Sequence, residues 1–245
     1  MAFVNAANAK VTVGDRQWSG DVSDYSTSSN VATVDVSVLE STDVALLATI
    51  ASGDFTLNGF IDSASAGTAN SQWQDLKGLR ATAAGVPTMI GFEGFAENKD
   101  VWMTTAYETT YNVSDAVAGT ANFSLSMSTT GVQDYGKSLF NLASAKTASA
   151  NGTTVDNSAS TANGGIGVIS VIAASGTSPT LDVIVQHSAD GSSWSTLGTF
   201  TQATGTTSQA ITVASGTTVN RYLRAAATIG GSTPSFTFAV GFSRL

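Results

Sequence analysis

The sequence contains no cysteine and only one histidine, His187, and these two gaps exclude several chemistries. Without cysteine, thiol nucleophiles, disulfides and thiolate metal sites cannot form. With a single imidazole, one chain cannot build a multi-histidine metal site, and any Ser-His-Asp triad would have to include His187. We therefore expect no enzymatic activity, no catalytic residues, no cofactor and no metal.

Charged residues are also scarce, at 11% of the 245 residues, where about 25% is usual. The formal net charge is −8, which disfavours attraction to nucleic acid or to an anionic membrane because both rely on clustered Lys and Arg. No basic segment precedes a sustained apolar run near the N-terminus, and no run approaches the roughly 20 apolar residues that span a bilayer. We expect a soluble protein made in a cytoplasm.

The charges are distributed unevenly along the chain, and this predicts two domains. Residues 1–143 contain 15 acidic and 6 basic side chains, whereas residues 144–245 contain 3 and 4. The junction at residues 143–154 is small, polar and without apolar periodicity, as is typical of a linker. We predict a first domain over residues 1–143 and a second over residues 144–245.

The first part mostly alternates apolar and polar residues with the period of a strand. Residues 31–38 are predicted to form one apolar and one polar face. Residues 41–53 change to helical spacing, with an N-cap at Ser41-Thr42-Asp43 and Gly53 at the C-terminal end, and predict one short helix. Further strands are predicted at residues 54–62, 88–95, 101–113 and 121–128. Gly59 is predicted to mark a bulge or a close backbone approach, and residues 63–85, with Trp73, Leu76 and Leu79, form a long polar loop.

The second part is more regular and predicts an all-β sandwich. Turn signals such as Ser175-Gly176, Asp190-Gly191 and Gly230-Gly231 separate its apolar runs. Five strands are predicted, at residues 166–174, 181–188, 209–213, 221–228 and 235–242, with two shorter ones near Thr154–Val155 and Thr196–Thr201.

Candidate reactive groups all have a simpler structural interpretation. His187 has Asp182 and Asp190 nearby in sequence, but Asp182 is predicted to point to the opposite face of the strand, so a triad is improbable. Asp190-Gly191-Ser192-Ser193-Trp194 lacks the alternating carboxylates of a calcium loop and is predicted to be a hairpin turn. The carboxylates of Glu93, Glu97, Asp100 and Glu108 are expected to be solvated. The glycine run 164–167 is expected to open a strand. Trp18, Trp73 and Trp102 are expected to be buried in the core or at an interface.

Three stretches of the first part, spread over residues 35–137, resemble the major tail (tail tube) proteins of long, non-contractile tailed bacteriophages. They are the predicted helix followed by an alternating strand that runs into Gly-Phe-x-Asp at residues 53–62, which looks like the family's post-helix strand, the late strand and turn at residues 107–117, and the closing strand at residues 120–132. Residues 180–194 and 220–224 resemble the C-terminal immunoglobulin-like β-sandwich modules appended to phage structural proteins.

This resemblance implies a tail-tube-type β-sandwich or barrel domain followed by an immunoglobulin-like domain, in a virion protein assembled in the host bacterial cytoplasm. Six subunits of four strands each would close a barrel of roughly 50 Å, wide enough for duplex DNA to pass without specific binding. Stacked rings would form the tube, and a tape measure protein and a tail terminator are its expected partners. Residues 144–245 would decorate the outside, or touch host-surface glycans.

Three alternatives stay open. The first is another phage structural component, such as a capsid decoration or baseplate protein. The second is a carbohydrate-binding module, with Trp194 and Tyr222 as platforms for sugar rings. The third is a secreted hydrolase, which the single histidine disfavours.

Overall fold

The computed structural model describes residues 8–38, 42–61, 78–79, 85–114 and 119–245, and strands dominate them. The prediction of a mainly β fold is confirmed. The predicted loop at residues 63–85 lies outside the described residues, except for residues 78–79 and 85. The strands are β1 Lys10–Val13, β2 Arg16–Gln17, β3 Val22–Thr27, β4 Asn30–Asp35, β5 Leu46–Ser52, β6 Asp54–Phe60, β7 Val86–Gly91, β8 Asp100–Ser114, β9 Asn122–Phe140, β10 Ala150–Asn151, β11 Val155–Asp156, β12 Gly165–Ser188, β13 Ser195–Thr199, β14 Thr207–Val213 and β15 Tyr222–Arg244.

The predicted helix over residues 41–53 is wrong. Residues 46–52 form β5, which pairs antiparallel with β4 so that Val34 lies opposite Leu47. Leu and Ala at helical spacing fit a short helix as well as a strand. Here the β-branched run of β4 supplies a pairing partner, and this tertiary pairing overrides the local preference.

The chain divides into two compact units, each assembled from segments that are distant in sequence. Unit 1 comprises Met1–Gly20, Val86–Thr105 and Asp134–Leu245, and unit 2 comprises Asp21–Gly85 and Ala106–Gln133. This grouping differs from the predicted division after residue 143, because unit 1 contains residues from both sides of that position. The independent folding of residues 144–245, and their immunoglobulin-like character, stay predictions.

Unit 1 is built on a long antiparallel ribbon in which β12 and β15 pair over their whole length. The predicted turns at Ser175-Gly176 and Gly230-Gly231 are bends inside these two strands and not strand ends. Gly176 has a φ of +119° and Gly231 a φ of +107°, conformations that cost glycine little and other residues much. β14 pairs with the first half of β12 and β13 with the second half.

The ribbon buries apolar side chains on both of its faces. Ile169 and Val171 of β12 contribute to one core, whereas Ile166 and Val168 contribute to another. This two-sided burial explains why residues 166–174 are a nearly continuous apolar run instead of an alternating one. The first core also contains Leu139, Phe140, Val183, Val185, Leu223, Phe236, Phe238 and Phe242, and the second contains Met89, Phe95, Val101, Met103, Leu142 and Ala239.

Unit 2 contains a sheet in which β6 lies between β3 and the first part of β9. Leu57 of β6 lies opposite Tyr25 on one side and Leu125 on the other. The prediction for Gly59 is confirmed, because a Cβ there would overlap the carbonyl oxygen of Asp21 and lie 2.9 Å from Cε1 of Phe123. β4 and β5 form a separate two-stranded sheet.

Candidate assembly surfaces

The β4–β5 hairpin exposes apolar side chains to an unusual extent. Asp35 lies opposite Leu46, and the pairing continues past Val36, whose N–H donates to the carbonyl oxygen of Ala45 at 2.8 Å. Strand alternation therefore places one set of apolar residues on a single face. We call this set the hairpin face: Val34 (51% exposed), Val36 (48%), Val38 (69%), Ala45 and Leu47 (57%).

The hairpin face differs from the apolar side chains of ordinary surfaces because its members are contiguous. Single exposed apolar residues are common on proteins, but contiguous apolar patches mark interaction sites. Seven of the twelve large hydrophobic side chains that are exposed among the described residues belong to this hairpin. The alternation of residues 31–38 predicted the apolar side chains that this segment contributes to the hairpin face. The residues from β5 and from the segment just before it were not predicted, because residues 41–53 were assigned to a helix.

The β3–β6–β9 sheet of unit 2 has an apolar face and a polar face. Phe55, Leu57, Phe123, Leu125 and Met127 are buried on the apolar side. Apart from the half-exposed Phe60 at one end, which lies opposite Asn122, the residues between them carry carboxylates, hydroxyls and amides with no basic group. We call this second surface the polar face: Asp24, Ser26, Asp54, Thr56, Asn58, Asn122, Ser124, Ser126 and Ser128.

Hydrogen bonds hold the carboxylates of the polar face in place. The Asn58 side-chain amide donates to Oδ1 of Asp24 at 2.8 Å. The Ser128 hydroxyl donates to Oδ1 of Asp54, also at 2.8 Å. A groove of about 280 Å³ opens beside Asn58, Phe60 and Asn122. The polar face is therefore an ordered, acidic and hydrogen-bonding surface.

The net charge of the chain resides entirely in unit 2. Unit 2 contains ten acidic and two basic residues, whereas unit 1 contains eight of each. The division after residue 143 gives a similar asymmetry, with a net charge of −9 (6 basic minus 15 acidic) before it and +1 (4 basic minus 3 acidic) after it.

In the part of the chain that the structure describes, the hydrogen bonds of His187 are not those of a catalytic triad. Nδ1 of His187 accepts a hydrogen bond from the backbone N–H of Asn220 at 3.2 Å, and burial lowers the pKa of the imidazole. The Asp182 carboxylate instead accepts hydrogen bonds from the Gln202 side-chain amide. Ser188 donates to Asp190 at 2.8 Å. The imidazole therefore serves as a neutral acceptor within the strand framework.

The candidate carboxylates of unit 1 have separate partners. Glu93 pairs with Lys99 at 2.8 Å, and Asp100 pairs with Lys137 at 2.7 Å. Glu97 accepts hydrogen bonds from the N–H and the hydroxyl of Thr153. In unit 2, burial and Glu108 together raise the pKa of Tyr111. Among the described residues, no group of three acidic or histidine side chains could hold a metal ion.

The predicted hairpin turn at Asp190 is confirmed. Its carboxylate accepts the backbone N–H groups of Ser192 and Ser193, each at 2.8 Å, and these bonds place the pKa of Asp190 well below its usual range. Gly191 has a φ of +73°. The carboxylate therefore closes the turn and is already saturated by protein donors, as expected for structural Asp in an Asx-type turn.

An arginine side chain stacks on each of the two proposed sugar platforms, Trp194 and Tyr222. Arg224 lies over the Trp194 ring at 4.1 Å from its centroid, and Arg221 lies over the Tyr222 ring at 4.9 Å. Cation–π stacking therefore occupies one face of each ring. Trp18 and Trp102 are buried, in agreement with their assignment to the core, and Trp73 lies outside the described residues.

Arg221 also forms a bidentate ion pair with Asp156, with two N–O distances of 2.6 Å. This pairing lowers the pKa of Asp156 to about 2. Because the folded-state pKa is depressed, the pair stabilises the fold above the ordinary pKa of about 3.9, and that stabilisation is lost as the pH falls towards 2. We expect an NMR titration to place the Asp156 midpoint near 2. In Arg221→Gln the midpoint should return towards the ordinary value, and an unchanged midpoint would contradict this assignment.

No protein-family profile matches the sequence, and no curated protein matches it. Solved structures with a partial likeness to this chain include the tail of an empty gene transfer agent particle with C6 symmetry, at 18% identity, a TM-score of 0.38, and coverage of 47% of this chain and 81% of that chain. The SPP1 tail tube is 11% identical, with a TM-score of 0.43 and coverage of 55% and 80%. The SPP1 Dit protein is 11% identical, with a TM-score of 0.40 and coverage of 96% and 99%. At these values the likeness does not assign a function to the chain.

Within the described residues, no helix is long and apolar enough to cross a membrane.

Proposed function

We propose that this chain is a structural subunit of a phage tail that assembles into stacked rings, hexameric by expectation, to form the tail tube. The observation that carries this proposal is the hairpin face, whose Val and Leu side chains stay about half exposed or more in the single chain. Burying a Val or Leu side chain fully contributes roughly 1.5–3 kcal/mol. A face with several such side chains therefore favours association, and the sequence resemblance to tail tube proteins supplies the kind of assembly.

The polar face is the surface that suits the lumen of such a tube. It carries Asp24 and Asp54 but no Lys or Arg, so it would repel DNA phosphates and let the duplex slide. Residues 144–245 have 3 acidic and 4 basic side chains, so they would not repel DNA phosphates in the same way. On this proposal they decorate the exterior, and the tape measure protein and tail terminator meet the tube's lumen and end.

Negative-stain microscopy and light scattering of the purified full chain test this function. Long hollow tubes are the expected result. Separate single rings would favour a baseplate component instead, and compact trimers would favour a capsid decoration protein. A chain that stays monomeric at high concentration would overturn the proposal.

The lumen assignment makes a separate prediction about DNA. Asp24→Lys combined with Asp54→Lys should convert tubes that ignore DNA into tubes that retain it, because two carboxylates per subunit become cations. Fluorescence anisotropy with a short labelled duplex should detect binding that weakens steeply as salt is raised. Asp182→Lys, which changes one exposed carboxylate in residues 144–245, is the matched control for Asp24→Lys alone and should leave the anisotropy unchanged. Equal DNA retention by the control would contradict the assignment of the polar face to the lumen.

A further inference from the structure

Tyr135 in unit 1 is an exposed aromatic side chain held in a fixed position. It is 60% exposed, more than any other described aromatic residue. Its ring stacks on Phe92, with centroids 6.1 Å apart and planes 19° from parallel. Because stacking on Phe92 already restricts the Tyr135 ring, a partner can bind its exposed side at little cost in conformational entropy.

The backbone around Tyr135 is fixed as well. Its N–H donates to Oδ1 of Asp134 at 2.7 Å. The hydroxyl of Ser243, a buried residue of β15, lies 2.5 Å from Oδ2 of Asp134 and 3.0 Å from the carbonyl oxygen of Tyr135. Aromatic anchors placed in this way dominate many protein interfaces.

Charge selects which surface of a second copy the hairpin face can meet. The segment 30–52, which forms the hairpin, contains three acidic residues, Asp35, Glu40 and Asp43, and no basic residue. Although Asp35 alternates with Val34 and so points away from the hairpin face, packing two hairpins together would bring two segments of the same charge within about 10 Å of each other, where like charges still repel. The same holds for any contact between two copies of unit 2, which has a net charge of −8, whereas unit 1 has none.

Unit 1 offers few exposed apolar side chains for such a contact. Among its described residues, the large hydrophobic ones that are exposed are Tyr135 and Leu245, and Leu245 is only 36% exposed. We propose that the hairpin face of one copy docks on the Tyr135–Phe92 pair of a second copy of this chain. The inference rests on the proposed self-assembly and names the two surfaces that carry out one of its contacts.

The proposed contact is small and head-to-tail. Five apolar side chains of this kind bury on the order of 300–400 Å² on one partner and so roughly 600–800 Å² over both, which is less than a stable two-chain complex usually needs, about 1,200 Å² in total. Because donor and acceptor surfaces differ, each copy can use both of them at once, and the contact propagates from copy to copy. The contact therefore belongs to a multi-subunit assembly and not to an isolated dimer.

A mixing experiment tests this contact. A donor-defective chain carries Val34→Ser and Leu47→Ser, and an acceptor-defective chain carries Tyr135→Ser. Each alone should assemble at least tenfold less than the wild type in light scattering. An equimolar mixture should stay equally defective, because each pair has only one intact donor surface facing one intact acceptor surface and the contact cannot propagate. If the hairpins instead pair with each other, the Tyr135→Ser chain assembles normally, which would overturn this inference while leaving the proposed function intact.

Because the chain has no cysteine, disulfide trapping provides a second test that needs no loss of assembly. Mixed Ala45→Cys and Glu93→Cys chains, which keep Leu47 and Tyr135 and carry the cysteines at exposed positions beside them, should cross-link at least tenfold faster than a mixture of Ala45→Cys with Val113→Cys, whose site is also exposed. Equal rates would overturn the contact. A wild-type chain that remains monomeric would remove the proposed function as well, so the two failures are distinguishable.

Discussion

Replacing Val34 and Leu47 by serine is expected to abolish tube formation while leaving the folded chain as stable as the wild type. Both side chains are more than half exposed, so the fold loses little apolar burial. Assembly, in contrast, loses the further burial of two side chains. Each is already about half buried in the single chain, so each contributes roughly half of the 1.5–3 kcal/mol of full burial, and 1.4 kcal/mol corresponds to a factor of ten in affinity. The critical concentration for assembly should therefore rise by at least tenfold in sedimentation or light scattering.

Val113→Ser is the matched control for this variant. Val113 is 44% exposed but lies outside the hairpin face, so its replacement should leave assembly unchanged. Thermal unfolding of each variant verifies that the fold persists. Tubes of normal length from the Val34→Ser/Leu47→Ser chain would show that the hairpin face is not an assembly surface.

Replacing Gly59 by alanine is expected to cost roughly 2–4 kcal/mol of unfolding free energy, because overpacking and the loss of a hydrogen bond add together. The new methyl group would overlap the carbonyl oxygen of Asp21. That oxygen accepts the N–H of Phe60 at 2.8 Å, so the backbone of Asp21 cannot retreat without weakening this bond. On the other side the methyl group would press against the Phe123 ring.

Urea denaturation followed by circular dichroism measures this effect. Gly20→Ala is the control, because a Cβ at Gly20 meets no atom within 4 Å, and its midpoint should stay within experimental error of the wild type. An equally small change for Gly59→Ala would mean that the strand around Asp21 adjusts freely.

Strand periodicity predicted much of the fold because it is a local property of the chain. The apolar face of residues 31–38, the alternation in β6 and the close approach at Gly59 could all be read from neighbouring residues. The prediction failed at residues 41–53, where the spacing of Val44, Leu47 and Ala51 suits a helix as well as a strand. Gly53 was predicted to end that helix. In the structure a larger residue is excluded there for another reason: a Cβ would overlap the side-chain amide of Gln133, which is distant in sequence.

The grouping into units could not be predicted in the same way. It depends on which strands pair, and those pairs join positions far apart in the chain, such as Phe55 with Met127 and Phe140 with Val240. β9 takes part in both pairings, so no single boundary in the sequence separates the units. The sequence indicated three of the five residues of the hairpin face, those in residues 31–38. It did not indicate the Tyr135–Phe92 pair, because the two stacked rings are more than 40 residues apart in the chain.

The long β12–β15 ribbon also constrains how the protein can be made. β15 supplies Phe238 to one core of unit 1 and Ala239 to the other, so neither core is complete before that strand leaves the ribosome. During translation, the apolar residues of β7 and β12 stay exposed until β15 has been synthesised and can pair. Slow non-local pairing of this kind makes nascent chains prone to aggregation. Chaperones that bind nascent chains would therefore have the most exposed apolar surface to cover just before the end of β15 is synthesised.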